Sequence, residues 1–354
     1  MNLKKPTIMD VAREAGVGVG TVSRYLHPIQ RRDIRKELQA RIEGAILKLE
    51  YLPNPNRSKR RKVNKQWTIG VLTSLSRDIF NSHYHMAILS GIFEGIGKTP
   101  HDLKFILLKD GHYEKLDEIL YDHAVDGLLI LTWRIHPNVV RLVHESDERL
   151  PLVLFNDFEP GLKVNILYTD VKEGIRQAVF YLIEKGYRNI AMLSGPTHIL
   201  FHEEGKEHQI PSVDVKEKTA GFMEAMKEKH VPVVKNFVKH AFSYNSGDGY
   251  RVMKSWIQKG KLPEALVCAN DEIALGAVRA LKESRLWCPK DMAVIGFDDI
   301  EKAKLMSPSL TSVRQPLYQM GQDAIEILIR KIEHPAKEPE QKKYVPELIL
   351  RQTA

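Results

Sequence analysis

Apolar positions change their spacing twice along the chain. Between residues 8 and 50 they recur at helical intervals. Ile8, Val11, Ala12 and Ala15 share one face, Val22 and Leu26 another, and Ile34, Leu38, Ile42, Ala45, Ile46 and Leu49 form a stripe. Pro6 and Thr7 precede the first group and Gly16 follows it, which is helix-starting and helix-stopping punctuation. Three helices are predicted, the second from about Val19 to Leu26 and the third from about Asp33 to Glu50. Residues 51–67, YLPNPNRSKRRKVNKQW, hold two prolines and almost nothing apolar between Leu52 and Val63. Such a stretch packs no core and reads as a linker.

From Thr68 onward the pattern becomes short β-branched or Leu-rich runs separated by amphipathic stretches. Ile69–Leu72, Phe105–Leu108, Gly127–Leu131, Leu152–Phe155, Ile190–Leu193, Leu266–Ala269 and Ala293–Ile295 read as buried strands. Their alternation with helices predicts parallel sheets covered on both faces. About 285 residues exceed one comfortable doubly wound sheet, so two similar lobes are expected. Ligands of such folds bind beyond the carboxyl ends of the strands, which makes the crevice between lobes the expected site.

Charge sharpens this division. The 354 residues carry a formal net charge of +8. Residues 1–66 alone account for +10 and the remainder for −2. A polyanion is the natural partner of the first segment, and the rest needs another purpose. With 43% apolar and 28% charged residues, long disorder is excluded. Two cysteines, Cys268 and Cys288, no apolar run near the roughly 18 residues needed to cross a bilayer, and no signal-like N-terminus predict a cytoplasmic protein with free thiols.

The first two helices are joined by a glycine turn, and the second is short and opens with small residues. That is a helix-turn-helix whose second helix enters a major groove. Thr21 and Ser23 carry hydroxyls suited to phosphate oxygens, and Arg24 reaches a base edge or phosphate with a planar fork. Gly16, Gly18 and Gly20 do not form a dinucleotide site, because no strand precedes them. TIMDVAREAGVGVGTVSRYL, followed by YLPN, resembles the DNA-binding headpiece of LacI/GalR-type transcription regulators. By that resemblance positions 19 and 20 choose bases, and here they are Val19 and Gly20. Valine touches a thymine methyl, whereas glycine reads nothing. Gly18 stands where the family usually has a capping Ser. The implied DNA-contacting set is Thr7, Val19, Gly20, Thr21, Ser23, Arg24 and Asn54, with base readout sparse and DNA shape and phosphate contacts weighted more heavily.

The linker departs from the family. Its members usually carry a hinge helix whose Leu wedges into the minor groove and kinks the operator. Here the matching residues are Pro55, Asn56, Arg57, Ser58, Lys59, Arg60, Arg61 and Lys62, without a leucine. Arg57, Lys59, Arg60, Arg61 and Lys62 are expected to grip the DNA backbone or narrow minor groove electrostatically, with a steep salt dependence. A merely solvated charge run is the alternative.

The resemblance continues through AVDGLLIL (124–131), DVKEGIRQAVFYLIEKGYRNIAMLSGP (170–196), ALVCANDEIALGAVRAL (265–281), PKDMAVIGFDD (289–299), LTSVRQP (310–316) and VPELILRQT (345–353). It implies a small all-α helix-turn-helix domain (1–50), a basic hinge linker (51–67), and an α/β periplasmic-binding-protein-like core of two doubly wound parallel-sheet lobes. The first lobe is expected over 68–168 plus 317–343 and the second over 169–316 plus 344–354. Asn270 and Asp298 match the family's ligand-contacting Asn and Asp. Gln315 lies at a crossover strand, Tyr168 and Leu317 occupy apolar wall positions, and Asp157, or equally Asn156, supplies an acceptor. For each of these a cap or a turn is the alternative. Lys218, in KTAGF, replaces the family's Arg, a point charge for a fork. FNSHYH (80–85), which contains Tyr84, and the long segment from Pro196 to Lys218 are departures expected to be ligand-facing loops.

His83, His85, His198, His202 and His208 raise the question of a metal, but their spacing matches no established ligand pattern, and polar loop histidines or a pH-sensitive lid are expected instead. No serine elbow, phosphate loop, CxxC or cofactor motif appears, so no cofactor and no enzyme activity are expected. The expected function is a homodimeric DNA-binding transcription regulator, a repressor. It would act on a palindromic operator in double-stranded DNA and be controlled by a small sugar-like effector between the lobes. The alternatives are control by a partner protein, as a phosphocarrier protein of sugar transport controls some members of the family, and, more distantly, an enzyme acting on small sugars.

Overall fold

The computed structural model describes residues 6, 8–26, 31, 34–49, 51, 66–74, 82–108, 125–131, 150–156, 164–203, 206–334 and 338–354. Thr7, Asn54, Arg57, Lys59, Arg60, Arg61, Lys62 and Asp157 lie outside the described residues.

Three helices, α1 (Ile8–Ala15), α2 (Val19–Leu26) and α3 (Lys36–Lys48), open the chain. They close over Val11, Ala12, Ala15, Val22, Tyr25, Ile42, Ala45 and Tyr51, so the apolar spacing of the sequence becomes a small separate core. Tyr25, not anticipated as a core residue, is buried beside Val22. The guanidinium of Arg31 covers its ring at 4.3 Å. Helix α3 starts at Lys36, later than expected, because Ile34 already packs into the core from the preceding turn.

The first sheet contains β1 (Thr68–Ser74), β2 (Asp102–Leu108), β3 (Gly127–Ile130), β4 (Leu152–Phe155), β5 (Asn165–Thr169) and, from far along the chain, β13 (Gln341–Tyr344). Its order is β13-β5-β4-β3-β1-β2, all parallel. Helices α4 (His83–Gly97) and α10 (Leu317–Glu333) pack together on one face.

The second sheet contains β6 (Ile190–Ser194), β9 (Val238–His240), β10 (Ala265–Cys268), β11 (Ala293–Asp298), β12 (Thr311–Arg314) and β14 (Glu347–Ile349). Its order is β14-β12-β11-β10-β6-β9, parallel except for β14. Helices α5 (Val171–Glu184) and α6 (Val213–Glu228) cover one face, and α7 (Ser246–Gln258) and α8 (Asp271–Glu283) the other. A short helix, α9 (Glu301–Leu305), follows β11.

Each lobe brings two helices into near backbone contact. A methyl group on Gly91 would collide with the carbonyl of Tyr318, and one on Gly249 with the carbonyl of Ile273. The chain passes between sheets at 169–171, 314–317 and 344–347. Two of these crossings are tied together where the Asp170 amide donates to Tyr344 O at 2.8 Å and Lys343 Nζ meets Asp170 Oδ2 at 3.1 Å.

Two segments differ from expectation. Residues 198–211 form an antiparallel hairpin, β7 (His198–Glu203) with β8 (Lys206–Pro211), where the sequence suggested a loop. His83, Tyr84 and His85 belong to the first turn of α4, where the Ser82 hydroxyl caps the helix by accepting the His85 amide.

Candidate functional site

The first candidate surface is the outer face of α2. Helix α1 ends at Gly16 in a left-handed conformation (φ +60°), where Arg41 of α3 donates to the carbonyls of Ala15 (2.7 Å) and Gly16 (3.2 Å). This fixes the turn. Helix α2 then begins with the Gly18 carbonyl accepting the amides of Thr21 (2.9 Å) and Val22 (3.2 Å). With Val22 and Tyr25 buried, the helix turns Val19, Gly20, Ser23 and Arg24 to solvent, and Thr21 is half-buried. Val19 is 42% exposed, unusual for a valine and suited to contact with a thymine methyl. Nothing lies within 4 Å of where a Cβ on Gly20 would sit. A backbone can therefore approach DNA closely here, although this residue reads no base.

The second candidate surface gathers at the carboxyl ends of the second sheet. Lys218, on α6, is 3% exposed. Its ammonium meets Asp214 Oδ1 one turn back at 3.0 Å, donates to Ala269 O at 3.0 Å just beyond β10, and lies 4.2 Å from the Phe297 ring centroid. Asp298 closes β11 in a left-handed conformation (φ +103°), uncommon for a residue with a side chain. Gln315 Nε2, just beyond β12, donates to Asp298 Oδ1 at 2.7 Å. Burial pushes the Asp298 carboxyl up to about 7, the Lys218 charge and the Gln315 hydrogen bond oppose the shift, and Asp214 adds to it. Beneath it, Asp271 accepts from the Ser312 hydroxyl (2.6 Å) and the Ile300 amide (2.8 Å), and burial holds its carboxyl well above the usual range.

Asn270 caps α8. Its Oδ1 accepts the Ile273 amide at 2.9 Å and its Nδ2 donates to Tyr244 O at 3.0 Å. The Tyr244 hydroxyl in turn donates to Asp214 Oδ2 at 3.1 Å. Lys218 and Asn270 are thus joined through Asp214 and Tyr244, and the bonded pair of Asp298 and Gln315 lies within electrostatic reach of Lys218. Tyr84 and Tyr168 sit on the first lobe. The Tyr84 hydroxyl accepts from Asn156 Nδ2, and Asn156 Oδ1 accepts the Thr169 amide at 2.8 Å, which ties β4 to β5. Tyr168 is half-buried against the sheet face opposite α4, and Leu317 is buried in the core beneath α4. His85 is buried and bonded to Ser82 Oγ at 2.8 Å, and desolvation lowers its pKa to about 4. Among the described residues, no group of three His, Cys, Asp or Glu is placed to hold a metal ion.

Three residues of this region escaped the sequence reading. Asp214 was legible, since an acid four residues before a lysine on a helix is a ready ion pair. Tyr244 carried no signal. Phe242, 88% exposed just after β9, carried none either, because its exposure depends on where the sheet ends.

A helix-turn-helix with an exposed second helix, joined to two lobes of parallel sheet, defines a ligand-responsive DNA-binding regulator. Residues 7–54 match the family described as bacterial regulatory proteins, lacI family, and residues 179–354 match the periplasmic binding protein-like domain. The chain thus carries a LacI-type helix-turn-helix domain followed by a periplasmic-binding-protein-like domain, and the relatives it resembles along its length are LacI family regulators. It is 29% identical over 350 residues to the HTH-type transcriptional repressor PurR of Histophilus somni (strain 2336), covering 98% of each chain. Identity to the ribose operon repressor of Escherichia coli (strain K12) is 29% over 353 residues, covering 98% of this chain and 99% of that one. A solved complex of the transcriptional regulator CelR with cellobiose superposes with a TM-score of 0.71 at 25% identity, covering 99% of this chain and 100% of that one.

Proposed function

We propose that the protein is a repressor that binds a palindromic operator as a homodimer and changes its grip when a sugar-like molecule enters the crevice between the lobes. The observation that carries this is the polar group at the carboxyl ends of the second sheet, Lys218, Asn270, Asp298 and Gln315, on a chain that also holds an exposed recognition helix. Tyr84, Tyr168 and Asp157 would face it from the first lobe. The exposed ring of Phe242 supplies an apolar wall of the kind sugar rings stack upon. Relatives whose names state a ribose operon or a cellobiose complex support a saccharide as the class.

On the DNA side, Thr7, Thr21, Ser23 and Asn54 would hold phosphates, and Val19 and Arg24 would touch base edges. Arg57, Lys59, Arg60, Arg61 and Lys62 would add sequence-independent charge. The dimer is supported by an apolar patch on the first lobe, where Phe93 of α4 is 50% exposed and lies 6.1 Å from Phe105 of edge strand β2. Such a regulator works in the cytoplasm, where its DNA is.

Fluorescence anisotropy with a palindrome from the upstream intergenic DNA, against a scrambled duplex, tests the first half. Specific binding released or strengthened by ribose or cellobiose supports the reading. A crevice silent to saccharides points instead to control by a partner such as a phosphocarrier protein.

A further inference from the structure

The polar group at the carboxyl ends of the second sheet is unusual in how its hydrogen bonds are distributed. Lys218 supplies its buried ammonium, yet Asp214 and the Ala269 carbonyl already receive it, and the Phe297 ring covers it. Among the described residues, the neighbouring side-chain donors each have a partner as well. Tyr244 donates to Asp214, Asn270 to Tyr244 O, and Gln315 to Asp298.

The buried atom left without any partner is an acceptor. Gln315, only 6% exposed, has its Oε1 buried without a partner among the described residues. A buried acceptor without a donor is costly, and a ligand hydroxyl or amine would relieve it. The charges agree. Asp214 pairs with Lys218 directly and Asp298 lies within electrostatic reach of it, so two acidic groups answer one ammonium. The amino end of α8 points to the same region, but Asn270 occupies its Ile273 amide, and Asp271 and Glu272 fill its first turn with negative charge.

We infer that the crevice accepts a polyhydroxylated ligand without negative charge and excludes sugar phosphates and sugar acids, because Asp214 neutralises the lysine that would otherwise hold an anion. This rests on the crevice being the effector site. The raised carboxyl of Asp298 fits it, since the Lys218 charge does not suffice to hold that acid in its ordinary range.

The test uses the full-length chain and three probes at constant ionic strength: inorganic phosphate, ribose 5-phosphate and ribose. Thermal unfolding is compared for the wild type, Asp214→Asn and Asp214→Asn/Lys218→Met. Freed from Asp214, Lys218 gains an anion. Saturating phosphate is therefore expected to raise the Tm of Asp214→Asn above the wild-type response by about 2–4 °C, and the double variant is expected to lose that gain. Asp214→Ser serves the same purpose should the Asn variant fold poorly. An Asp214 variant that responds no more than the wild type overturns the inference.

Calorimetry with ribose 5-phosphate keeps the two readings apart. Binding to the wild type that weakens tenfold or more in Lys218→Met overturns the anion exclusion and leaves the effector crevice standing. Binding indifferent to both Lys218→Met and Gln315→Ala overturns both.

Discussion

The DNA-facing helix and the crevice differ in how far their polar chemistry is already engaged inside the protein. On α2, Ser23 and Arg24 stand in solvent, and Arg24 makes no ion pair with another described residue. At the carboxyl ends of the second sheet, in the proposed effector site, Lys218, Asn270 and Asp298 each have fixed partners within the chain. The contrast follows from the two targets. A duplex is a hydrated polyanion met at a surface, where free donors on flexible stems adapt and the gain is electrostatic and salt-dependent. A small ligand is met in a low-dielectric pocket, where an unsatisfied donor or acceptor carries a large penalty, so prior pairing decides what fits.

The strongest way to break this comparison is to remove the charge that burial resists. Asp298 ionises near 3.8 when unfolded and at about 7 when folded, so the folded chain holds a proton the unfolded chain has lost. Stability contributed by that protonated carboxyl is present below pH 4 and is lost as pH rises through 7. Asp298→Asn is therefore expected to be more stable than the wild type at pH 8, by up to about 4 kcal/mol for three pKa units, and equal to it at pH 4. Urea unfolding of both proteins across that range measures the gap. A gap that does not change with pH would place this carboxylate in water despite its neighbours Lys218, Asp214, Gln315 and Asp271.

Next in size is the ion pair. Lys218→Met leaves Asp214 and Asp298 facing each other without a cation. Asp214 is 33% exposed on its side chain, which reduces the penalty of a fully buried pair, and a loss of about 2 kcal/mol is expected. Adding Asp298→Asn should recover part of it, and a double-mutant cycle with no coupling would mean the two groups do not sense each other.

On the DNA side effects should be smaller and carried by salt. Arg24→Ala is expected to weaken operator binding by about tenfold to thirtyfold while leaving the headpiece folded, since the side chain is exposed. Should the contact be to phosphate, the loss will be equal on specific and scrambled duplexes, and the salt slope will fall by about one.

The division of the chain was legible because each part has its own period. Val11 with Ala15, Val22 with Leu26, and Leu38 with Ile42 and Ala45 repeat at helical spacing, and Leu128–Ile130 and Leu152–Phe155 are continuous apolar runs that a doubly covered sheet hides. The edges were not legible. Strand β13 is Gln-Lys-Lys-Tyr, and its place beside β5 is made by backbone hydrogen bonds that composition does not announce. The hairpin at 198–211 mixes histidines and glutamates with Ile199, which is buried, and Leu200, which is exposed, so alternation was hidden by charge. At the carboxyl ends of the second sheet, Lys218, Asn270, Asp298 and Gln315 were singled out by likeness to the family's short motifs. Their engagement with Asp214, Tyr244 and the Ala269 carbonyl belongs to tertiary structure, and only the Asp214 spacing hinted at it.

The smallest effect tests whether the recognition helix is as unencumbered as it looks. A Cβ at Gly18 would have as its nearest neighbour Thr21 Oγ1 at 3.9 Å, so a side chain fits without displacement. Serine there would offer its hydroxyl to the amides of the first turn, which glycine leaves to the backbone and water. Gly18→Ser should stabilise the headpiece by about 0.3 kcal/mol, a shift near the detection limit of chemical unfolding but measurable as slowed amide exchange in α2. Operator affinity should hardly change, because the cap faces the turn and not the groove. A large gain in affinity would instead mean that α2 is poorly formed until DNA arrives, and the contrast with the prearranged crevice would then extend from side chains to the backbone itself.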